Sequence, residues 1–258
     1  MNGPALKRVA FVLILALGSP SQPGALDSDT LYHRAQKTVE SGHLSEALPL
    51  FETALKASPN DLRIGNDYRQ VVVRIDKVPV YNRCIAFFDS LTTAHPDAPN
   101  AWLNLGYAKV DKIPQEGAIT QVLLANTALG YFTTALELEE TWLGLYTRGN
   151  SYLYWPAIFG RTPLAVRDLE RAIALSRETK AAGYHARAYV GLGEAHWRLD
   201  DLDAARAMWQ EGLTRFPENV HLQGRLSRDD ASLNKFLSEH FEPGQRVDTD
   251  LTIIWEGQ

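Results

Sequence analysis

Between residues 186 and 219 the chain reads ARAYVGLGEAHWRLDDLDAARAMWQEGLTRFPEN, and its apolar residues recur with a helical period, stop at a polar break, and recur again. Tyr189, Leu192, Gly193 and His196 follow the i, i+3, i+4, i+7 pattern, and Ala205, Met208, Trp209 and Gly212 repeat it. The spacing predicts two short helices, each with one apolar stripe. Gly193 and Ala205, twelve positions apart, are small where two helices must approach closely, and Trp209 supplies bulk beside them. Pro217 ends the second helix because it cannot extend the hydrogen-bond ladder.

Tyr189, Leu192, Gly193, His196, Ala205, Trp209, Gly212 and Pro217 fall together on the spacing of a tetratricopeptide (TPR) repeat, and the stretch resembles that family, with His196 and Gly212 departing from the residues usual there. The resemblance implies an all-α chain: a right-handed TPR-type helical-hairpin solenoid with C-terminal capping helices and a short extended tail. Five repeats are expected within 26–219, at about 28–61, 65–98, 99–141, 142–180 and 186–219. The first keeps the spacing at Leu31, Ala35, Ala47, Phe51, Ala54 and Pro59, with Gly42 at the turn and Pro49 placed early in the second helix, where a missing N–H is tolerated. The second rests on Tyr68, Val71, Cys84, Phe88, Leu91 and Pro96, and Cys84 there reads as a small buried hydrophobe rather than a reactive thiol.

Two repeats carry extra residues. Trp102, Leu105 and Gly106 open the third and Ala128, Phe132 and Ala135 close it, but Gly106 and Ala128 are 22 positions apart where the pattern has 12. The insertion, within 111–126, is expected to lengthen the connection or the second helix on one face of the stack. The fourth, with Leu145, Gly149, Tyr152, Ala165, Leu169 and Ala172, has four extra residues inside YWPAIFGRTP, at 154–163. Trp155, Ile158 and Phe159 in that connection are expected to fold back on the core. Asp200 and Asp203 are expected to cap the last second helix. Gly106, Ala128, Gly149, Ala165, Gly193, Ala205 and Trp209 are the repeat-packing positions. Residues 220–258 supply two capping helices, Val220 to Arg228 and Ala231 to Phe241, then Pro243 and Gly244, then an extended segment from Val247 to Trp255 that lies along the array or adds to a partner's sheet edge.

The chain has 258 residues, 45% of them apolar and 22% charged, as expected of a folded protein. Its formal net charge of −5 and the lack of a long basic run remove the electrostatic footprint of nucleic-acid binding. Its single cysteine leaves the redox compartment open. The first 25 residues, with Lys7 and Arg8, an apolar run from Val9 to Leu17 and small residues in SPSQPGA, look like a cleaved signal peptide; the run is too short to span a bilayer. Export to the periplasm or secretion, with no membrane span in the mature chain, is the expectation.

Catalytic chemistry finds little support. The seven histidines include no metal-binding i, i+4 pair; His185 and His196, eleven apart, stand about 16 Å apart along a helix. No phosphate loop, GxSxG elbow or CxxC occurs, and His196 beside Asp200 lacks a nucleophile. No catalytic residue, metal site or cofactor is therefore expected. The resemblance instead implies a concave groove lined by the first helices, with Tyr107, Tyr146, Asn150, Tyr154, Arg187, Glu194, Trp197 and Arg198 as candidate partner-binding residues, some of which can equally pack against neighbouring repeats. Aromatic rings offer area at small entropic cost, and Asn150, Arg187 and Arg198 can donate to backbone carbonyls or carboxylates. Tyr146 stands where the carboxylate-clamp subset of the family has its first Lys, so capture of a peptide C-terminus is not expected. The leading expectation is an exported scaffold for a protein or peptide partner. The alternative is an exported, transporter-associated binder of a small solute, with the aromatics of the fourth repeat lining a pocket and Arg161 favouring an acidic ligand.

Overall fold

The computed structural model describes residues 27–242 and 247–255; the expected signal segment lies outside them. Among the described residues there are twelve α-helices, four short 3-10 turns and no strand. The helices are α1 (Ser28–Glu40), α2 (Leu44–Ala57), α3 (Leu62–Ile75), α4 (Val78–Ala94), α5 (Pro99–Lys112), α6 (Ala118–Leu138), α7 (Trp142–Leu153), α8 (Thr162–Arg177), α9 (Ala186–Arg198), α10 (Leu202–Arg215), α11 (Val220–Leu226) and α12 (Asp230–His240). Six of them begin behind a short polar side chain that accepts the backbone N–H three residues on: Asp27, Asp61, Thr141, Asp201, Asn219 and Asp229. Each such cap satisfies one of the amides that an α-helix leaves without an internal acceptor.

Consecutive helices pack as hairpins, α1 with α2 through to α9 with α10, and each hairpin stacks on the next. The result is the TPR-type helical solenoid. First helices also meet one another, α3 on α5 and α7 on α9, and so form one inner face. Where hairpins close most tightly, a ring occupies the space a side chain would need. A Cβ on Gly193 would lie 2.1 Å from the indole nitrogen of Trp209, and one on Gly106 would lie 2.4 Å from the Phe132 ring. Gly149 packs against Leu169, and Ala128, Ala165, Ala205 and Trp209 are buried in the same seams. The apolar core falls into two clusters that share α5: Ala101, Leu105 and Ala108 join the cluster of α1 to α4, while Leu103 and Tyr107 join that of α6 to α12. Cys84 is buried in the first cluster, and burial pushes its thiol well above the ordinary range, as suits a packing residue.

Several local expectations need correction. Pro49 is the sixth residue of α2, beyond the first turn, so it removes a donor from the ladder itself. The cap of α10 is Asp201; Asp200 adopts a left-handed φ of 60° in the turn, and Asp203 already lies in the first helical turn. The 111–126 insertion lengthens both connection and helix: a 3-10 turn at Ile113–Gln115 precedes the 21 residues of α6. Ile119 and Leu123, at the start of α6, are 81% and 63% exposed. In the other insertion Trp155 folds back and is buried beneath the Arg161 guanidinium, 3.6 Å above its ring centroid, but Ile158 remains 89% exposed and Phe159 half exposed. The tail, expected to be extended from Val247 to Trp255, has no regular structure over 247–251, where the Asp250 amide donates to the Asp248 side chain, and Thr252–Ile254 forms a 3-10 turn.

Candidate partner-binding face

The inner face is most polar on α3 and α5. Arg69, Asn66 and Asn104 are essentially inaccessible and Asp111 is buried. An Arg can be buried only if its donors are matched, because an uncompensated guanidinium in a dry interior is costly. Here Nε of Arg69 donates to Asn104 Oδ1 at 2.9 Å, Nη1 to Asp111 Oδ2 at 3.0 Å and Nη2 to Asn66 Oδ1 at 3.1 Å. The guanidinium also lies 4.6 Å from the Tyr107 ring centroid. Gly65 makes the arrangement possible, since a Cβ there would meet the Asn104 amide at 2.2 Å.

Onto this polar set the chain lays its own tail. Arg69 Nη2 donates to the Thr249 carbonyl at 3.2 Å, and the Thr249 hydroxyl donates to Asp111. Asn66 works in both directions, donating to Asp250 Oδ1 at 3.2 Å and accepting the Leu251 amide at 3.0 Å. Thr249 and Leu251 are buried, whereas the Asp248 side chain is 67% exposed, 3.8 Å from Arg187 of α9. Burial alone would raise the Asp250 carboxyl, but hydrogen bonds from Thr252 and Asn66 and the charge of Arg69 outweigh it and hold the group below its ordinary value of 3.8.

The candidate residues of the later hairpins lie around the same face, and most of them are engaged within the chain. Tyr107 is buried on α5 with its hydroxyl on Thr147; burial, partly offset by that bond and by Arg69, pushes its phenol up to about 12. Tyr146 stacks on Trp142 with centroids 5.1 Å apart, and Asn150 is half-buried on the same helix. Glu194 is buried and paired with Arg225 of α11. Trp197 donates to Asn234 of α12 at 2.7 Å and stacks on Phe241, which also meets Tyr154 edge-on. Arg198 donates to the Trp155 carbonyl at 2.8 Å. The capping helices therefore cover Tyr154, Glu194 and Trp197, while Arg187 faces the tail.

Asn66, Arg69, Asn104 and Asp111 were not anticipated. A signal existed: the TPR register that selects Tyr146 and Arg187, run back to the second hairpin, reaches Arg69 and Asn66. The weak residue identities of that hairpin hid it. Among the described residues no group of three or more His, Cys, Asp or Glu gathers as a metal site, and no helix is long and apolar enough to cross a membrane. His185 sits between the Trp142 and Tyr184 rings, where burial and then Arg215 lower its pKa.

A stack of helical hairpins whose inner face holds the chain's own tail defines a repeat scaffold. The model for the tetratricopeptide repeat matches residues 159–220, and solved TPR proteins share the fold over most of the chain. Among solved structures, a thermophilic TPR protein of Thermus thermophilus is 21% identical, with a TM-score of 0.55 over 81% of this chain and 99% of that one. MamA of Desulfovibrio magneticus, from its residue 41 onward, is 17% identical, with a TM-score of 0.50 over 76% of this chain and 98% of that one. At these identities the likeness is one of fold. No curated protein matches the chain.

Proposed function

We propose that this chain is a non-catalytic scaffold that holds a protein or peptide partner along its inner face, and that it acts in the cell envelope or after secretion. The observation that carries the reading is the inner face itself, where Asn66 and Arg69 already grip the chain's own tail by its main chain. A surface that recognises backbone groups in a fixed register suits an extended polypeptide. The compartment rests on the Lys7 and Arg8 leader and its apolar run. Glu194, a conceivable acid or base, is tied to Arg225, which argues for a packing role. Affinity capture from the native host, comparing wild type with Asn66→Ala/Arg187→Ala, tests the scaffold. A partner retained by wild type and lost by the double variant is the expected result; identical proteins on both, or none on either, would sink it.

A second reading has its own observation. A cavity of ≈ 400 Å³ lies where both insertions meet, with Ile113 and Val122 on one side and Trp155, Pro156 and Phe241 on the other. This is the size and lining of a small-molecule site. Arg161 is outside that lining and bonds to Asn126, so the cavity suits an apolar solute rather than an acidic one. Native mass spectrometry of the purified chain distinguishes the two: a bound small molecule lost in Val122→Trp supports the cavity, and a bare mass in both proteins removes it.

A further inference from the structure

We propose that the α3–α5 part of the inner face is a preformed peptide subsite selective for a Thr–Asp–aliphatic sequence, and that the chain's residues Thr249, Asp250 and Leu251 are a displaceable occupant of it. The inference rests on the scaffold reading and names the ligand chemistry of its groove.

The subsite is organised by the helices alone. Three of the four hydrogen bonds that fix the Arg69 guanidinium come from Asn66, Asn104 and Asp111, all on α3 and α5, and the tail supplies only the fourth. A guanidinium and an amide already held in place lose little freedom when a ligand arrives, so their binding energy is not spent on ordering. What they offer is specific. Arg69 reads a main-chain carbonyl, Asn66 reads the main-chain amide two residues later, and these two contacts set the register of the bound segment. Asp111 accepts a hydroxyl at the first position, Asn66 donates to a carboxylate at the second, and the third position is an apolar slot that buries Leu251. A Val in place of Thr would leave the Asp111 oxygen without that donor, and a charge in place of Leu would be buried unpaired.

The tail fills this subsite with a small footprint. Thr249 and Leu251 are the buried residues, while Asp248 is largely exposed and Ile253 is 40% exposed. The exposed pair of Arg187 with Asp248, at 3.8 Å, adds little. Occupancy depends on this contact together with Ile254 and Trp255, which pack partly buried against the core, and is favoured by the high effective concentration of a tethered segment. A partner carrying the same pattern competes on equal chemistry and wins when its flanking residues add contacts that the tail lacks.

The test uses the full chain and a fluorescent peptide with the sequence of residues 247–255, VDTDLTIIW, titrated by anisotropy. Leu251→Asp releases the chain's own tail by placing a carboxylate in the apolar slot. This variant is expected to bind the peptide at least tenfold more tightly than wild type, and adding Asn66→Ala is expected to abolish the gain. A peptide with Ala for Thr and Asp, and Asp for Leu, is expected to bind neither protein. Thr249→Ala/Asp250→Ala, which releases the tail without adding charge, gives a second route, and circular dichroism reports whether each variant keeps its helices. Equal peptide affinity for wild type and both folded variants, binding indifferent to Asn66→Ala, or loss of helix in both variants would overturn the proposal, the last by making the tail an integral part of the solenoid. Peptide failure alongside retained partner capture sinks the subsite and leaves the scaffold; peptide binding without partner capture does the reverse.

Discussion

Gly193 and Trp209 show how one contact carries the register of a hairpin. The indole nitrogen donates to the Val190 carbonyl at 3.1 Å across the space that a Cβ of Gly193 would enter. Trp209 is fully buried, so it cannot swing aside without opening the seam between α9 and α10. Gly193→Leu is therefore expected to destabilise the fold by about 1–3 kcal/mol, as overpacking does, read as a lower urea midpoint. Gly130 provides the control: it lies within α6 with open space where its Cβ would be, so Gly130→Ala is expected to raise stability by about 0.5–1 kcal/mol through helix propensity. An unchanged midpoint in Gly193→Leu would mean that this packing register is wrong. A polar counterpart lies nearby, where Arg225 of α11 neutralises Glu194 of α9 in the interior and ties the capping region to the last hairpin.

At the scale of elements, helix ends and connections decide how the hairpins join. Asp201 accepts the Ala204 amide at 3.0 Å and starts α10 after the left-handed Asp200 has turned the chain. Asp201→Ala is expected to cost about 1 kcal/mol, while Asp203→Ala changes stability by less, and thermal melts of the two variants rank them. The expectation that Asp200 and Asp203 share the capping role missed by one residue, because the polar run LDDLD offers several acceptors and only the backbone path selects one. The insertions were legible as lengths and not as shapes. Trp155 folds back because Arg161 covers its ring, yet Ile158 three residues on finds no cover, a difference absent from the apolar pattern YWPAIFG.

At the scale of the whole molecule, the C-terminal region reaches back across the stack. Phe241 joins Trp197 and Tyr154, and Asp250 and Leu251 reach α3, more than 180 residues earlier in the chain. The docked tail should respond to acid. Asp250 is held below its free value of 3.8 when docked, so its contribution to docking is complete above that value and is lost as pH falls through the lower, docked pKa. Side-chain amide resonances of Asn66 are expected to shift as the tail leaves in that acidic window, and to stay still over pH 5–8; movement centred near neutrality would point to a histidine instead.

The sequence by itself determined the hairpins. Small and large residues at fixed spacing, as at Gly106 with Phe132 and Gly193 with Trp209, report a packing geometry that recurs locally, and local recurrence is what a one-dimensional pattern can carry. Only the tertiary structure decided what the inner face holds. Tyr107 and Glu194 occupy positions that the family resemblance assigns to a groove, but their partners are Thr147 and Arg225, from other helices. Arg69 would read as a solvated charge until Asn66, Asn104 and Asp111 surround it, and the tail beyond Pro243 carries no mark of its destination. The physical reason is the range of the interaction: a hairpin's contacts lie within one repeat, whereas a groove and its occupant are joined by hydrogen bonds between residues that become neighbours only after the hairpins have stacked.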